Sequence, residues 1–213
     1  MMSDPTFENR SYAVGYLHES EGVARRLTIQ QREIAQIIDI LYNAWRNKKP
    51  VFIVGNGGSA STATHFAADL VKTVISNPGD RGIKAMALVD NIPLVSALTN
   101  DWGWGEIYTG QLPNFWEPGG VVIGISVHGG SGSDQAGAWS QNILRALQFA
   151  KDNNGQAIGL AGFDGGAMKD LCDACVVIPA ESTPLVESFH VVLTHLVTFR
   201  LKELISQHKG GGQ

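Results

Sequence analysis

His65 and Asp69 stand four residues apart in the stretch SASTATHFAADL, which reads as helix, so the two side chains share a face. A histidine and a carboxylate at this spacing can hold a divalent metal ion or work as an acid/base pair. The same spacing also suits a plain hydrogen bond at a surface or interface. A second set of ionisable groups, Glu187, His190 and His195, sits in an otherwise apolar helix predicted over about 184–207. Buried ionisable groups are costly unless paired or functional. Five helical residues turn roughly 140°, so His190 and His195 face different ways. One of them can reach a given site, and the other is expected to be a core or interface histidine.

Two loops could receive an anion. Gly55-Asn56-Gly57-Gly58-Ser59 follows an apolar run and opens a helix. Its glycines allow a sharp turn and close approach to a ligand. Ser59 is expected to cap the helix, with its hydroxyl within reach of a ligand. The free N–H groups at the helix start suit an anion. There is no GxGxxG and no P-loop lysine, which disfavours a dinucleotide or ATP. The second loop, Ser126-Val127-His128-Gly129-Gly130-Ser131-Gly132-Ser133, offers hydroxyls, N–H groups and an imidazole to a phosphate. Alone, it also fits an ordinary Ser/Gly turn. Cys172 and Cys175 form a single CxxC with no further ligands at comparable spacing, and read as two small buried residues.

The elements that position these groups follow from periodicity. Residues 7–48 carry no strand pattern, and Ile34, Ile37, Ile38, Leu41, Ala44 and Trp45 mark one helix face. After Pro50 come five short apolar runs: VFIVG (51–55), KAMALV (84–89), VVIGIS (121–126), AIGLAG (157–162) and CVVIP (175–179). Helical stretches or glycine-rich turns separate them, the pattern of a doubly wound parallel α/β sheet. Ligands of such sheets sit beyond the strands' carboxyl ends. The last helix carries Leu185, Val186, Phe189, Val191, Val192, Leu193, Leu196, Val197, Phe199 and Leu201 on nearly all sides. An all-apolar helix must be buried, either within the chain or, as expected for a domain this small, against another subunit.

With 213 residues, 44% of them hydrophobic and 17% charged, the chain can bury a sizeable core. Net charge is −4 with the signs mixed, and no Lys/Arg block appears, so the footprint of a nucleic-acid binder is missing. No stretch reads as a secretory signal or membrane span, and the cytoplasm is the expected compartment.

From about residue 10 to 208 the chain resembles the sedoheptulose 7-phosphate isomerase (phosphoheptose isomerase) branch of the sugar isomerase (SIS) family. The resemblance rests on GNGGSAST and HFAADL, ALTNDWGWGEIY (97–108), GIS and GGS (124–131), AGFDGG (161–166) and TPLVESFHVVLTH (183–195). It implies a single SIS domain, with a helical extension over 1–48 and a flavodoxin-like α/β core with a five-stranded parallel sheet over 49–208; the glycine-rich tail over 209–213 reads from its residues as disordered. The resemblance further implies a homotetramer with sites at subunit interfaces, and conversion of a ketose phosphate to an aldose phosphate through an enediol. By the same resemblance Asp69 is the base and His195 the acid. Zinc, where present, is held by His65, Asp69, Glu187 and His195. Asn56, Ser59, Asp101, Ser126 and Ser131 match sugar- and phosphate-binding positions, alongside Gly57, Gly58 and His128 of the two loops.

Several positions depart from the family. Asp69 replaces a glutamate, and a displacement of roughly 1 Å can cost about a hundredfold in rate. Glu187 replaces a glutamine. Val127 and His128 replace two hydroxyl residues, and Pro184-Leu185-Val186-Glu187 replaces a polar segment. The substrate is therefore open: an isomerase of a different sugar phosphate in a specialised pathway, or a non-catalytic sugar-phosphate-binding regulator or adaptor, are the alternatives. Retention of an acid at 69 and a histidine at 195 favours the enzyme. Glu187 and His195 lie eight residues apart, roughly 12 Å along a helix, a long reach for two ligands of one ion.

Overall fold

The computed structural model describes residues 5–130 and 140–210. Helix α1 (Pro5–Leu27) leads through a short 3-10 turn into α2 (Gln31–Arg46). Five strands follow: β1 (Pro50–Gly55), β2 (Lys84–Ala87), β3 (Val121–Ile125), β4 (Gln156–Gly162) and β5 (Ala174–Ile178). Each falls on one of the five apolar runs. Every pairing is parallel and the order is β2-β1-β3-β4-β5, so the expected flavodoxin-like topology is the one adopted. Between the strands lie α3 (Gly58–Ala68), α4 (Ile92–Trp102), α5 (Leu112–Phe115), α6 (Gln141–Asp152) and α7 (Met168–Leu171), and α8 (Thr183–Gly210) closes the chain.

Alternate side chains of the central strands feed two cores. Val51, Ile53, Ile123 and Ile125 pack with α2, α3 and α8 on one face, while Phe52, Val54 and Val122 pack with α4, α5 and α6 on the other. A parallel sheet covered on both faces needs such continuous apolar strands. The extension is tied to the sheet by Gln30. Its Oε1 accepts from the Val177 N–H at 2.8 Å and its Nε2 donates to the Val177 carbonyl, which occupies open backbone groups of the edge strand β5.

The last helix is not buried all round. Leu185, Val186, Phe189, Leu193, Val197 and Leu201 are buried, but Val192, Leu196 and Phe199 are 50%, 45% and 56% exposed. The helix runs on to Gly210, past the expected start of a disordered tail; 211–213 lie outside the described residues. Cys172 and Cys175 are half-buried free thiols rather than fully buried ones. Burial pushes the Cys175 thiol up to about 12 and raises Cys172 as well. Among the described residues, no helix is long and apolar enough to cross a membrane.

His190 pins α8 to the sheet, with its Nε2 3.1 Å from the Ala161 carbonyl and its side chain enclosed. Burial pushes its pKa down to about 4, so the imidazole is neutral in the fold. The unfolded chain binds that proton below about pH 6.5. Stability is therefore expected to fall as pH drops from about 6.5 towards 4, by up to roughly 3 kcal/mol from this group. Urea unfolding across that range should show the wild type losing stability more steeply than H190Q. Parallel curves would refute it.

Candidate active site

The turn after β1 begins with Gly57 at φ +56°, a left-handed backbone that favours glycine. Gly57 takes the capping position of α3 and no side chain caps the helix. This corrects the capping role expected of Ser59: that residue lies inside the first turn, 4% exposed, with its side chain facing the cleft beyond the strands. Asn56, Ser59, Ser126, Val127, His128, Ser140 and Glu187 line this cleft together. No lysine or arginine lines it among the described residues, so the donors it offers are hydroxyls, an amide, N–H groups and the His128 imidazole. Ser131 and Ser133 lie outside the described residues. Asp101 does not line the cleft; it is exposed near the end of α4, accepting from Asn100 Nδ2 at 2.7 Å.

Three residues that the motifs did not single out organise the cleft. Asn56 and Asn142 exchange amide hydrogen bonds at 3.0 and 2.8 Å. The Tyr108 hydroxyl donates to the Gly55 carbonyl at 2.5 Å and lies 3.2 Å from Asn56 Oδ1. Burial pushes the Tyr108 phenol far above its ordinary value, so it remains a donor. Ser140 Oγ stands 3.3 Å from Ser126 Oγ. Tyr108 belongs to the segment 97–108 already conspicuous in the sequence; Asn142 has no local signature.

A second constellation forms where α3 meets α8. His65 Nε2 and His195 Nε2 are 3.4 Å apart, and Asp69 Oδ2 is 3.8 and 3.7 Å from them. The Asp69 side chain is only 13% exposed, while the two histidines are about half open to solvent at 51% and 45%. Asp69 Oδ2 is buried without a hydrogen-bond partner. An orphaned carboxylate oxygen facing two imidazole nitrogens is a fit for a cation, and all three donor atoms lie within 4.8 Å of one another. Two histidines and one carboxylate leave an outer position for a ligand, the donor set of catalytic zinc sites. Asp69 also opens a π-helical turn, Asp69–Thr73, in which the Val74 N–H donates to the Asp69 carbonyl at 3.2 Å.

Glu187, expected as a fourth ligand, is not in this group. A Cβ on Gly58 would fall 2.5 Å from Glu187 Oε1, so the carboxylate sits at the start of α3, in the cleft. The two turns of α8 between Glu187 and His195 account for the separation. His190, three residues along that helix from Glu187, faces the core.

A family model described as SIS domain matches residues 15–162. The lincomycin biosynthesis protein LmbN of Streptomyces lincolnensis is 41% identical over 160 residues, covering 73% of this chain and 57% of LmbN. The chain thus spans less than two thirds of that relative. The phosphoheptose isomerase of Nitratiruptor sp. is 36% identical over 164 residues, covering 77% of this chain and 82% of the relative. The Helicobacter pylori phosphoheptose isomerase is 33% identical over 182 residues, covering 85% and 89%. Among solved structures, the phosphoheptose isomerase of Neisseria gonorrhoeae superposes with a TM-score of 0.80 at 23% identity, covering 91% of this chain and 98% of that one. That of Francisella tularensis gives 0.82 at 21%, covering 92% and 98%. The solved structures show the fold, and the sequence matches show the branch. The chain belongs to the SIS-domain family, on its phosphoheptose isomerase branch.

Tyr108→Phe removes the donor that holds Gly55 and Asn56. It is expected to cost about 1–3 kcal/mol in urea unfolding, because the buried carbonyl is left unpaired. An unchanged midpoint would show that the hydroxyl does not set this corner of the cleft.

Proposed function

We propose that the chain is an aldose–ketose isomerase acting on a phosphorylated sugar. Its substrate is a ketose phosphate like sedoheptulose 7-phosphate or, in keeping with Val127, His128 and Pro184, a related sugar phosphate of a specialised pathway. One observation carries this reading. The helices α3 and α8 touch at Gly58 and Glu187 beside the cleft, and again at His65 and His195. These two contacts are roughly 10–12 Å apart along the helices. A phosphate held by the Asn56–Ser59 turn and the Ser126–Ser131 loop would leave an extended sugar chain to reach Asp69 and His195.

In this reading Asp69 removes the proton from the carbon beside the carbonyl. His195 supplies a proton to the carbonyl oxygen, giving the enediol. Return of a proton to the former carbonyl carbon, and loss of one from the neighbouring hydroxyl, completes the aldose. His65, Asp69 and His195 would also suit a divalent ion such as zinc, which when bound would polarise oxygens of the substrate in place of the proton from His195, since one ring nitrogen cannot both ligate and donate. Glu187, which lines the cleft, would accept from sugar hydroxyls. The orphaned Asp69 oxygen favours this enzyme over a binding regulator, which has no use for a buried bare carboxylate. In deuterated water, the enzyme is expected to exchange the proton beside the carbonyl of a sugar phosphate, and Asp69→Asn to slow exchange by about 10²–10⁴. Purified without chelator, the protein should carry about one ion per chain, lost in His65→Ala. Exchange at the wild-type rate in the Asn variant would overturn the assignment of the base.

The active form is a homo-oligomer, with the tetramer as the expected state. Val192, Leu196 and Phe199 form an exposed stripe at helical spacing, and Phe7, Tyr12, Val14 and Leu17 of α1 are exposed as well. Light scattering of the wild type is expected to give a multiple of the 22.8 kDa chain mass, and Leu196→Glu to shift it towards the monomer. A monomeric wild type at micromolar concentration would refute this.

A further inference from the structure

We propose that Phe163 is a positioning residue that holds the His128 imidazole in the phosphate cleft. This assignment rests on the phosphate reading of the Ser126–Gly130 loop. Phe163 follows the end of β4 with φ +53°, in the left-handed region where a bulky side chain is least at ease. Glycine stands at 162, 165 and 166, so a fourth glycine would make the turn with less strain. The sequence places an aromatic ring there instead, and that ring lies 4.3 Å from the His128 ring, tilted by 35°.

The backbones beneath the two rings are already fixed to each other. The Gly162 N–H donates to the Val127 carbonyl at 3.0 Å, and the Met168 N–H to the Gly129 carbonyl at 2.9 Å. The two loops meet so closely that a Cβ on Gly129 would collide with the Gly165 carbonyl, and one on Gly166 with that of His128. The Phe163 ring covers one side of the imidazole and so limits its direction about the side-chain bonds. Among the described residues, His128 is the one cleft-lining side chain able to carry positive charge, while Glu187 across the cleft carries negative charge. The direction of that imidazole therefore decides whether a phosphate meets a cationic donor in addition to the hydroxyls and N–H groups of the cleft. An imidazole ordered before the ligand arrives also spares the cost of immobilising it on binding.

The test is calorimetric titration of the full chain with inorganic phosphate and with sedoheptulose 7-phosphate. F163G removes the ring and relieves the backbone. It is expected to stay folded, with some stability lost from the ring's packing against the core, and to weaken both ligands roughly three- to tenfold, the range set by immobilising one side chain. F163Y should restore affinity. In a background of H128N, F163G should cause no further loss, because Phe163 acts through His128. In turnover, F163G should raise KM more than it lowers kcat. Should the glycine variant fail to fold, F163N, also tolerant of left-handed backbone, carries the same expectations. Wild-type affinity in F163G alongside weakened binding in S126A overturns the role of Phe163 and leaves the phosphate loop standing. Additive losses in the double variant overturn it too. Wild-type affinity in S126A and H128N alike would refute the phosphate reading itself, and this assignment with it.

Discussion

Asn56 and Asn142 face each other across the crevice from which the rest of the site is built, exchanging both amide hydrogen bonds. Their positions follow from strand order. With β1 and β3 adjacent and parallel, the chain leaves β1 for α3 on one face of the sheet and leaves β3 for α6 on the other. The two exits diverge, and neighbouring carboxyl ends open between them. Asn56 comes from the first exit and Asn142 from the start of the second helix. Their pairing closes the floor of the crevice with groups that need no charge. Tyr108 reaches the same floor through the Gly55 carbonyl, so one buried donor registers β1 against the segment that follows α4. A ligand above this floor meets N–H groups and hydroxyls already oriented, the condition for binding an anion without a lysine or arginine close by.

The strands were legible because a sheet covered on both faces needs continuous apolar β-branched runs, and such runs are rare elsewhere in the chain. The glycine-rich exits were legible for a similar reason, since backbone that must turn sharply beside a ligand selects glycine. The pairing of His65 with Asp69 came from helical spacing alone. Asn142 and Tyr108 were not legible as site residues, because their partners lie 86 and 53 residues away; the segment around Tyr108 stood out, but nothing local tied its hydroxyl to the cleft, and Asn142 carries no local signature at all. Ser59 misled for a different reason: serine before a helix is the usual cap, but Gly57 starts this helix earlier and leaves the hydroxyl to the cleft. Glu187 was set with the metal ligands by resemblance, while the rise of a helix over eight residues keeps it at the other end of the pocket.

The last helix shows how composition can hide three different faces. Phe189, Leu193 and Val197 lie in the core, Val192, Leu196 and Phe199 face outward, and His195 falls between the two stripes. A uniformly apolar sequence gives no hint of which stripe is which, since both are made of the same residue types. His195 marks the seam, and its imidazole is left partly open at 45%. Any copy of the chain that covered Leu196 would also approach His195 and His65. Excluding water from that side would strengthen every electrostatic contact of the buried Asp69 carboxylate, whose Oδ2 has no protein hydrogen bond to satisfy it. The buried carboxylate of Asp69 on one helix and the outer stripe of the other thus meet at His195, so that covering the stripe with another surface would also change the surroundings of the carboxylate.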